Sequence, residues 1–360
     1  MRALKGHSIA FIAPPAQAAA RAGFDPRVYA LSPGNVEFLR TLGVWQSMPA
    51  ERLARVEAMH IFGDDKRAVL EFDAYEAGVR ELAWIVEDSE LQRALWSGLS
   101  GMALCCESLE AGGAHTVISF TDGAPLAARL VVGADGAHSF VRRAAGIAAK
   151  ERGFGQTAVV ANFHCTRAHR NIAYQWFQGG PVLALLPLPG EQVSMVWSLP
   201  QEEAQRIAAL PAAALAAEVT SAAHGILGRL EIASAARSFP LQRLSAQRLI
   251  GPRIALVGDA AHVVHPLAGQ GLNLGLQDAR ALAGVIAGRA PGRDPGDERL
   301  LRRYERARAE PILAMDAVIS GLFSLYGTGN PVAGRVRNAG LNLTDRLPVL
   351  KNILIRQAMS

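Results

Sequence analysis

Residues 254–278 read IALVGDAAHVVHPLAGQGLNLGLQD, and this stretch decides the fold. Its apolar opening is typical of a buried β-strand, which would deliver Gly258 and Asp259 to the carboxyl end of that strand. A carboxylate in that place can accept hydrogen bonds from sugar hydroxyls, and the adjacent glycine lets a ligand approach the backbone. The strand therefore predicts one wall of a nucleotide site.

The second half of the same stretch predicts a turn followed by a helix. Gly269 and Gly271 permit backbone turns that bulkier residues resist, and the helix is expected to open at about Leu272. The exposed amides and the positive dipole end of that helix suit an anion. The alternative is a plain strand–loop–helix unit whose glycines only shape the turn.

A second motif lies at residues 130–143, LVVGADGAHSFVRR. Asp135 and Gly136 follow an apolar strand, where a carboxylate can organise a phosphate-binding loop through backbone hydrogen bonds. Arg142 fits two interpretations, a phosphate-binding cation or a surface residue one turn into a helix.

A third motif, DPRVYALSPGNVEFLRTLGV, occupies residues 25–44. Ser32 and Pro33 predict the start of a helix, as its N-cap and first residue, and Gly43 predicts its end. Arg27 precedes this helix and is a candidate ligand-binding cation. A solvated arginine is the equally weighted alternative.

Together the three motifs resemble the class A FAD-dependent aromatic hydroxylases, and the wording HPLAGQGLNLGLQD is especially similar to their ubiquinone-biosynthesis branch. The resemblance implies that Asp259 contacts a ribityl or ribose hydroxyl of FAD, beside Gly258. It places the backbone from Gly269 to Asn273, which includes Gly271 and Leu272, at the isoalloxazine edge, with Pro266 beside the ring.

The resemblance also gives roles to the other two motifs. Asp135 and Gly136 match a motif associated with FAD and with reduced nicotinamide, and Arg27 matches an arginine that approaches FAD. NADPH or NADH is the implied electron donor. O2 would add to flavin C4a, and the resulting hydroperoxide would hydroxylate a phenolic ring, here a hydrophobic polyprenyl phenol of ubiquinone biosynthesis. No side chain need act as nucleophile, so no catalytic acid or base is predicted.

The chain departs from the family at its front. Members open with a strand and a Gly-x-Gly-x-x-Gly turn that holds the FAD pyrophosphate. No such sequence precedes His7, and Ala13-Pro14 replaces the acidic residue expected after the second strand. We expect that the start was assigned too late and that this chain binds FAD weakly.

The order of motifs predicts an α/β fold, in which a Rossmann-like FAD-binding domain is interleaved with a β-rich substrate domain and followed by a helical C-terminus. The active site is expected between the two domains, at the carboxyl ends of the parallel strands. The predicted FAD domain comprises residues 1–55, 87–150 and 251–300. The substrate domain comprises 56–86 and 151–250, with candidate pocket residues Trp176, Phe177, Leu185 and Trp197. Residues 301–360 form the C-terminal helices.

Local patterns also predict individual elements. A buried strand is expected over residues 7–13, a strand over residues 127–133, and a helix over the Ala-rich residues 201–230. Four strands are expected in the β-rich segment, around residues 159–165, 172–177, 182–188 and 193–199.

Composition excludes several other classes. The net charge is +5 with scattered Lys and Arg, so no nucleic-acid site is predicted. Three cysteines make neither a disulfide framework nor a zinc pattern, and His262 with His265 is a poor metal pair. Without a secretory signal or a long apolar run, the protein is expected to be cytoplasmic, with peripheral contact at the inner face of a membrane left open.

Other functions stay open at this stage. A flavin-dependent reductase or halogenase of the same fold would yield no oxygen-dependent hydroxylated product. A non-catalytic or truncated subunit of a quinone-biosynthesis assembly would stay colourless when FAD is added. Self-association as a homo-oligomer is likewise left open.

Overall fold

The computed structural model of the protein describes residues 8–13, 23–63, 69–99, 101–264 and 271–326. The chain forms two compact units. The first unit is drawn from Met1–Gln17, Leu95–Phe154 and Gln242–Ile319, and the second from Ala18–Ala94, Gly155–Leu241 and Ser320–Ser360. Each unit is described by itself below.

The strands and helices alternate irregularly along the chain. The strands are β1 Val28–Leu31, β2 Ala54–Val56, β3 Ala58–Phe62, β4 Val69–Asp73, β5 Ala83–Glu87, β6 Cys106–Ala111, β7 Thr116–Phe120, β8 Leu126–Ala128, β9 Val131–Gly133, β10 Ala149–Cys165, β11 Ile172–Phe177, β12 Val182–Leu188, β13 Gln192–Pro200, β14 Leu230–Ile232, β15 Arg237–Ala246, β16 Ile250–Gly251, β17 Ile254–Leu256 and β18 His262–Val263. The helices are α1 Pro33–Leu42, α2 Asp88–Trp96, α3 Phe140–Ala144, α4 Gln201–Ala208, α5 Ala212–Ala222, α6 Gly271–Ala287 and α7 Glu298–Tyr326.

The second unit is built on a large sheet whose strands pair in the order β10-β13-β12-β11-β3-β4. Neighbours are antiparallel except β11 and β3, which run parallel. Alternate side chains of one face, including Phe163, Trp176 and Leu185, pack under α4 and α5 and form the main core of this unit. A smaller antiparallel sheet, β1-β5-β2, supplies a second cluster.

The first unit contains the strands that carry the sequence motifs. β17 pairs parallel with β9, in the register Ile254↔Val131, and antiparallel with β16. A separate antiparallel sheet consists of β6, β7 and β8. The core around β17 is completed by Tyr304 of α7, which is fully buried and whose hydroxyl donates to Leu256 O (2.7 Å). Burial raises the pKa of Tyr304, so this phenol remains a neutral hydrogen-bond donor.

The structure confirms the predicted α/β class with its β-rich segment, and several local predictions with it. Ser32 caps α1 through its side chain, and Gly43 ends that helix in the left-handed conformation (φ 78°). Helix α7 confirms the predicted helical C-terminus as far as Tyr326, and residues 327–360 of that prediction lie outside the described residues. Among the described residues, no helix is both long enough and apolar enough to span a bilayer.

Three local predictions are wrong. The expected buried strand at residues 7–13, of which His7 lies outside the described residues, is only an isolated parallel bridge from Ile12 to Met102 over residues 8–13. Ile9 is half exposed, since the pairing lasts for two backbone hydrogen bonds. The expected strand over 127–133 splits, because its first part pairs with β7 and its last part with β17. The expected helix over 201–230 breaks before Pro211, whose ring cannot continue a helix, and ends at Ala222.

The compact units group the chain differently from the predicted domains at several places. Residues 23–55 and 87–94, expected in the FAD domain, lie in the second unit together with the β-rich segment. Residues 151–154 and 242–250, expected in the substrate domain, lie in the first unit. The predicted boundaries state which segments hold a cofactor. Compactness does not measure cofactor binding, so the predicted boundaries stay a prediction.

Candidate functional site

The turn that follows β17 carries the predicted cofactor residues. Strand residues 254–256 are buried, and a single 3-10 turn, Gly258–Ala260, follows them. Gly258 has φ +59°, a conformation that side chains disfavour. Asp259 lies at the exposed tip of this turn, as the sequence predicted.

The backbone of helix α6 approaches this turn closely at Gly275. A Cβ added to Gly275 would lie 3.2 Å from Gly258 Cα, so any side chain at Gly275 would crowd the turn. The helix begins at Gly271, with Leu272 half buried and Asn273 buried. Its first amides form the positive end of a 17-residue dipole. The predicted residues Pro266 and Gly269 lie outside the described residues.

A buried carboxylate joins the turn to two helices. Asp278, on α6, accepts from Gly258 N (3.0 Å) and from His262 Nε2 (2.6 Å) through Oδ2. Its other oxygen accepts from Arg308 Nε (2.6 Å), on α7. All three ionisable side chains are at least nine-tenths buried. The histidine is thus engaged by a carboxylate, and the described residues contain no cluster of three or more His, Cys, Asp or Glu placed to hold a metal; His265 lies outside them.

The Asp135-Gly136 loop is organised by its own carboxylate. Asp135 accepts from Ser139 Oγ (2.5 Å) and from Val141 N (3.1 Å), which fixes the start of α3. Gly136 has φ +80°, so a glycine suits the bend. Arg142 donates to Ala137 O (2.8 Å). Through these hydrogen bonds Asp135 organises its loop, as the sequence predicted.

Arg142 is neither a surface residue nor exposed towards solvent. It is buried, and its other terminal nitrogen donates to Ala260 O (2.9 Å), so it links the Asp135-Gly136 loop to the Gly258–Ala260 turn. The surface interpretation of Arg142 is therefore wrong. The motif at residues 130–143 and the turn that begins at Gly258 are therefore adjacent within the first unit, and the guanidinium of Arg142 links them.

The predicted Arg27 lies in the second unit, at the end of a tightly held segment. Its exposed guanidinium lies over the rings of Tyr29 (5.6 Å) and Phe239 (5.5 Å). The backbone before it is held by Asn162 Nδ2, which donates to Phe24 O (2.9 Å). Contact with two aromatic rings restricts the orientation of this exposed guanidinium.

The predicted pocket residues fall on opposite faces of the large sheet. Trp176, Leu185 and Trp197 belong to the core under α4 and α5, so for them the simple core interpretation is right. Phe177 points to the other face, since successive strand residues alternate. That face carries a cross-strand row of half-buried or small side chains: Gln175, Ala184, Val196 and Val160.

The first-unit residues fit a flavin nucleotide on chemical grounds. An exposed carboxylate at Asp259 can accept from sugar hydroxyls. The adjacent Gly258 has no side chain to obstruct a ligand, and the amides at the start of α6 can face a negative charge. Sequence reasoning missed the roles of Asp278 and Arg308. Asp278 ends the quoted motif, but no local pattern shows which groups it contacts. Arg308 has no local signal because its partner, Asp278, lies 30 residues away.

Comparisons with known proteins identify the family of the chain. The profile of the FAD binding domain family matches residues 18–315. The ubiquinone hydroxylase UbiL of Rhodospirillum rubrum is 33% identical over 348 residues, covering 94% of this chain and 80% of that protein. The 3-demethoxyubiquinol 3-hydroxylase of Escherichia coli is 31% identical, covering 93% of this chain and 87% of that protein.

A solved structure shows the same fold at lower identity. Klebsiella pneumoniae HpxO, complexed with FAD and uric acid, aligns with a TM-score of 0.72 at 18% identity and covers 92% of this chain and 87% of its own. This likeness concerns the fold alone. With the family profile and the relatives above, the chain belongs to the FAD binding domain family, among the flavin-dependent aromatic hydroxylases of the ubiquinone-biosynthesis branch.

Proposed function

We propose that the protein is an FAD-dependent monooxygenase that hydroxylates an aromatic ring, the substrate being a polyprenyl phenol intermediate of ubiquinone biosynthesis. The observation that carries the proposal is the fixed turn with exposed Asp259, beside the amide end of α6, in a chain of this family. The substrate class follows the relatives, whose names are those of ubiquinone-pathway hydroxylases.

The residues of the first unit would bind and orient the cofactor. Asp259 would accept from a ribityl or ribose hydroxyl, and the first amides of α6, from Gly271 to Asn273, would face the negatively charged edge of the reduced ring. Asp135 and Gly136 would keep the neighbouring loop open for the phosphates. When bound, FAD supplies the redox chemistry that activates O2, with NADPH or NADH as electron donor.

The sheet face that carries Phe177 is suited to the apolar part of a substrate. Its row of Gln175, Ala184 and Val196 offers small and apolar side chains with one amide for a polar group. Such a composition is typical of pockets that bind hydrophobic ligands. Arg27, which contacts two aromatic rings, is the proposed cofactor-binding cation of the second unit.

We extend the proposal to the partners of the protein. The small-molecule partners would be O2 and a membrane-borne phenol, so the protein would contact a membrane peripherally. The protein partners would be further copies of this chain or a quinone-biosynthesis assembly.

Binding of FAD to the purified chain tests the first step. We expect the protein to show a flavin absorbance after FAD is added. The substitution Asp259→Ala should lower the affinity for FAD about tenfold or more, because hydrogen bonds to a charged group are among the stronger ones. The measurement is the quenching of flavin fluorescence during titration. Equal affinity of the two proteins would overturn the role of Asp259.

The reaction is tested with isotopic oxygen. The FAD-loaded protein, a nicotinamide donor and a short-chain prenyl phenol are incubated under ¹⁸O2, and the product is analysed by mass spectrometry. One ¹⁸O atom in the ring hydroxyl is the expected result, with the second oxygen atom released as water. Donor oxidation without labelled product would indicate a reductase and would contradict the proposal.

A further inference from the structure

Three ionisable side chains are buried behind the turn that carries Asp259. Asp278 is 0% exposed, His262 4% and Arg308 5%, and they come from α6, β18 and α7 respectively. Charged groups are rarely placed so deeply unless they are paired, because removing a charge from water costs several kcal/mol. Such a cluster needs an explanation beyond packing.

Buried side chains tether both neighbours of Asp259: Asp278 of the cluster on one side and Arg142 on the other. On one side, Gly258 N donates to Asp278 Oδ2 (3.0 Å). On the other side, Arg142 donates to Ala260 O (2.9 Å). The backbone on each side of Asp259 therefore has a side-chain tether, while the Asp259 side chain itself is exposed.

The charge balance of the cluster depends on α7. Arg308 donates to Asp278 Oδ1 (2.6 Å) and to Leu274 O (3.3 Å), so one guanidinium neutralises the carboxylate and also holds the first turns of α6. His262 donates from Nε2, because an ionised carboxylate has no proton to give. Arg308 is therefore the permanently charged partner of Asp278, while His262 contributes a hydrogen bond.

We propose that Arg308 and Asp278 are positioning residues that fix the Gly258–Ala260 turn and thereby aim Asp259 at the cofactor. This inference rests on the proposed function and deepens it. It makes α7 a part of the cofactor-binding apparatus, although none of its residues is expected to touch the flavin. Removing Arg308 leaves a buried carboxylate without its counter-charge, which favours a different arrangement of the turn.

A double-mutant cycle tests the coupling. FAD affinity is measured for the wild-type chain, Asp259→Asn, Arg308→Met and the double variant. We expect Asp259→Asn to weaken FAD about tenfold in the wild type, and by less than about threefold when Arg308 is already replaced, because the carboxylate is then no longer aimed. Arg308→Lys keeps the positive charge and should recover most of the wild-type coupling.

A matched control separates positioning from stability. Glu305→Ala, on the same helix, removes the acceptor of Leu249 N (3.0 Å), a contact that does not reach the turn. It should lower the melting temperature without changing FAD affinity. Hydrogen exchange in the chain without FAD should speed up at residues 257–262 in Arg308→Met, or in the polar Arg308→Gln if the first does not fold, and stay unchanged in Glu305→Ala.

The outcomes distinguish the two proposals. Additive effects of Asp259→Asn and Arg308→Met, in a chain that binds FAD, would overturn the positioning role and leave the proposed function standing. The same holds if Glu305→Ala and Arg308→Met lose FAD affinity in proportion to their melting temperatures. A wild-type chain that takes up no FAD would overturn both.

Discussion

Gly275 and Gly284 lie in the same helix, α6, but only Gly275 faces another part of the backbone. A Cβ at Gly275 would lie 3.2 Å from Gly258 Cα, whereas a Cβ at Gly284 would meet nothing within 4 Å. Gly284→Ala should raise the free energy of unfolding by about 0.5–1 kcal/mol, since alanine loses less backbone entropy in a helix. Gly275→Ala should lose that gain, because the turn must shift.

Urea unfolding of both variants, together with FAD titration, checks this prediction. We expect Gly284→Ala to keep the FAD affinity of the wild type and Gly275→Ala to weaken it. If the two variants had the same free energy of unfolding and the same FAD affinity, the close approach of α6 to the turn would have no functional importance.

At the scale of single residues, the sequence predicts those whose chemistry depends on a local pattern. Gly258 and Asp259 follow an apolar strand, and that order is enough to predict a turn with an exposed carboxylate. Arg142 could not be placed, because its burial depends on Ala260, which is 118 residues away. Long charged side chains are mostly exposed, so a buried arginine is visible only after the chain has folded.

Among the elements of the second unit, the segment that carries Arg27 is held by a buried ion pair. Glu87 on β5 accepts from Asp25 N (2.5 Å) and from Arg52, whose pKa is raised chiefly by the hydrogen bond to Glu87. Glu87→Gln should destabilise the protein by about 1–3 kcal/mol, because the hydrogen bonds from Arg52 lose a charged acceptor while Glu90 remains near that guanidinium (3.8 Å). Chemical denaturation measures this loss.

An exposed pair provides the control for that substitution. Glu37 and Arg40 form an ion pair on the surface of α1, and both side chains are exposed. Glu37→Gln should change the free energy of unfolding by less than about 0.5 kcal/mol. Similar effects of Glu87→Gln and Glu37→Gln would show that the buried pair does not stabilise the segment before Arg27.

The start of α7 predicts a dependence of stability on pH. Asp297 caps this helix by accepting from Leu300 N (3.0 Å). The pKa of Asp297 is lowered by its hydrogen bond with Arg293 and then by that backbone amide. A lowered folded pKa stabilises the fold above the unfolded value, about 3.9, and this contribution is lost as the pH falls through the folded pKa.

Two substitutions separate the charge from the cap. Asp297→Asn keeps a capping oxygen, so its melting temperature should fall below that of the wild type at pH 6 and converge with it as the pH falls below the folded pKa of Asp297. Asp297→Ala should still be less stable than the wild type by about 1 kcal/mol at that low pH, because the cap itself is removed. A constant difference between the wild type and Asp297→Asn across this range would contradict the assigned pKa shift.

At the scale of elements, periodicity and end signals were sufficient for α1 and for the strands of the β-rich segment. They failed where pairing partners decide the outcome. Residues 127–133 look like one strand, yet β8 and β9 pair into different sheets, and only the partners β7 and β17 separate them. No local pattern carries that information, since backbone hydrogen bonds form across long separations in sequence.

For the whole molecule, the family and the fold class could be predicted from three motifs in order, while the tertiary pairings could not. The parallel register of β11 with β3, Tyr174↔His60, joins segments more than a hundred residues apart. The motif residues also gave no sign that α7 completes the surroundings of the Gly258–Ala260 turn. Buried long-range contacts, such as Tyr304 with Leu256, are a property of the assembled core.

Cofactor binding should be visible in the stability of the entire chain. A ligand that binds only the folded state stabilises it by RT ln(1 + [L]/Kd), about 2.7 kcal/mol when FAD is present at one hundred times its dissociation constant. The melting temperature should therefore rise with the logarithm of FAD concentration. Because Asp259 is exposed, Asp259→Ala should change the melting temperature without FAD no more than an ordinary surface substitution does, and it should need more FAD for the same rise. A parallel loss of melting temperature in the absence of FAD would mean that Asp259 serves the fold, and the cofactor role given to this turn would have to be abandoned.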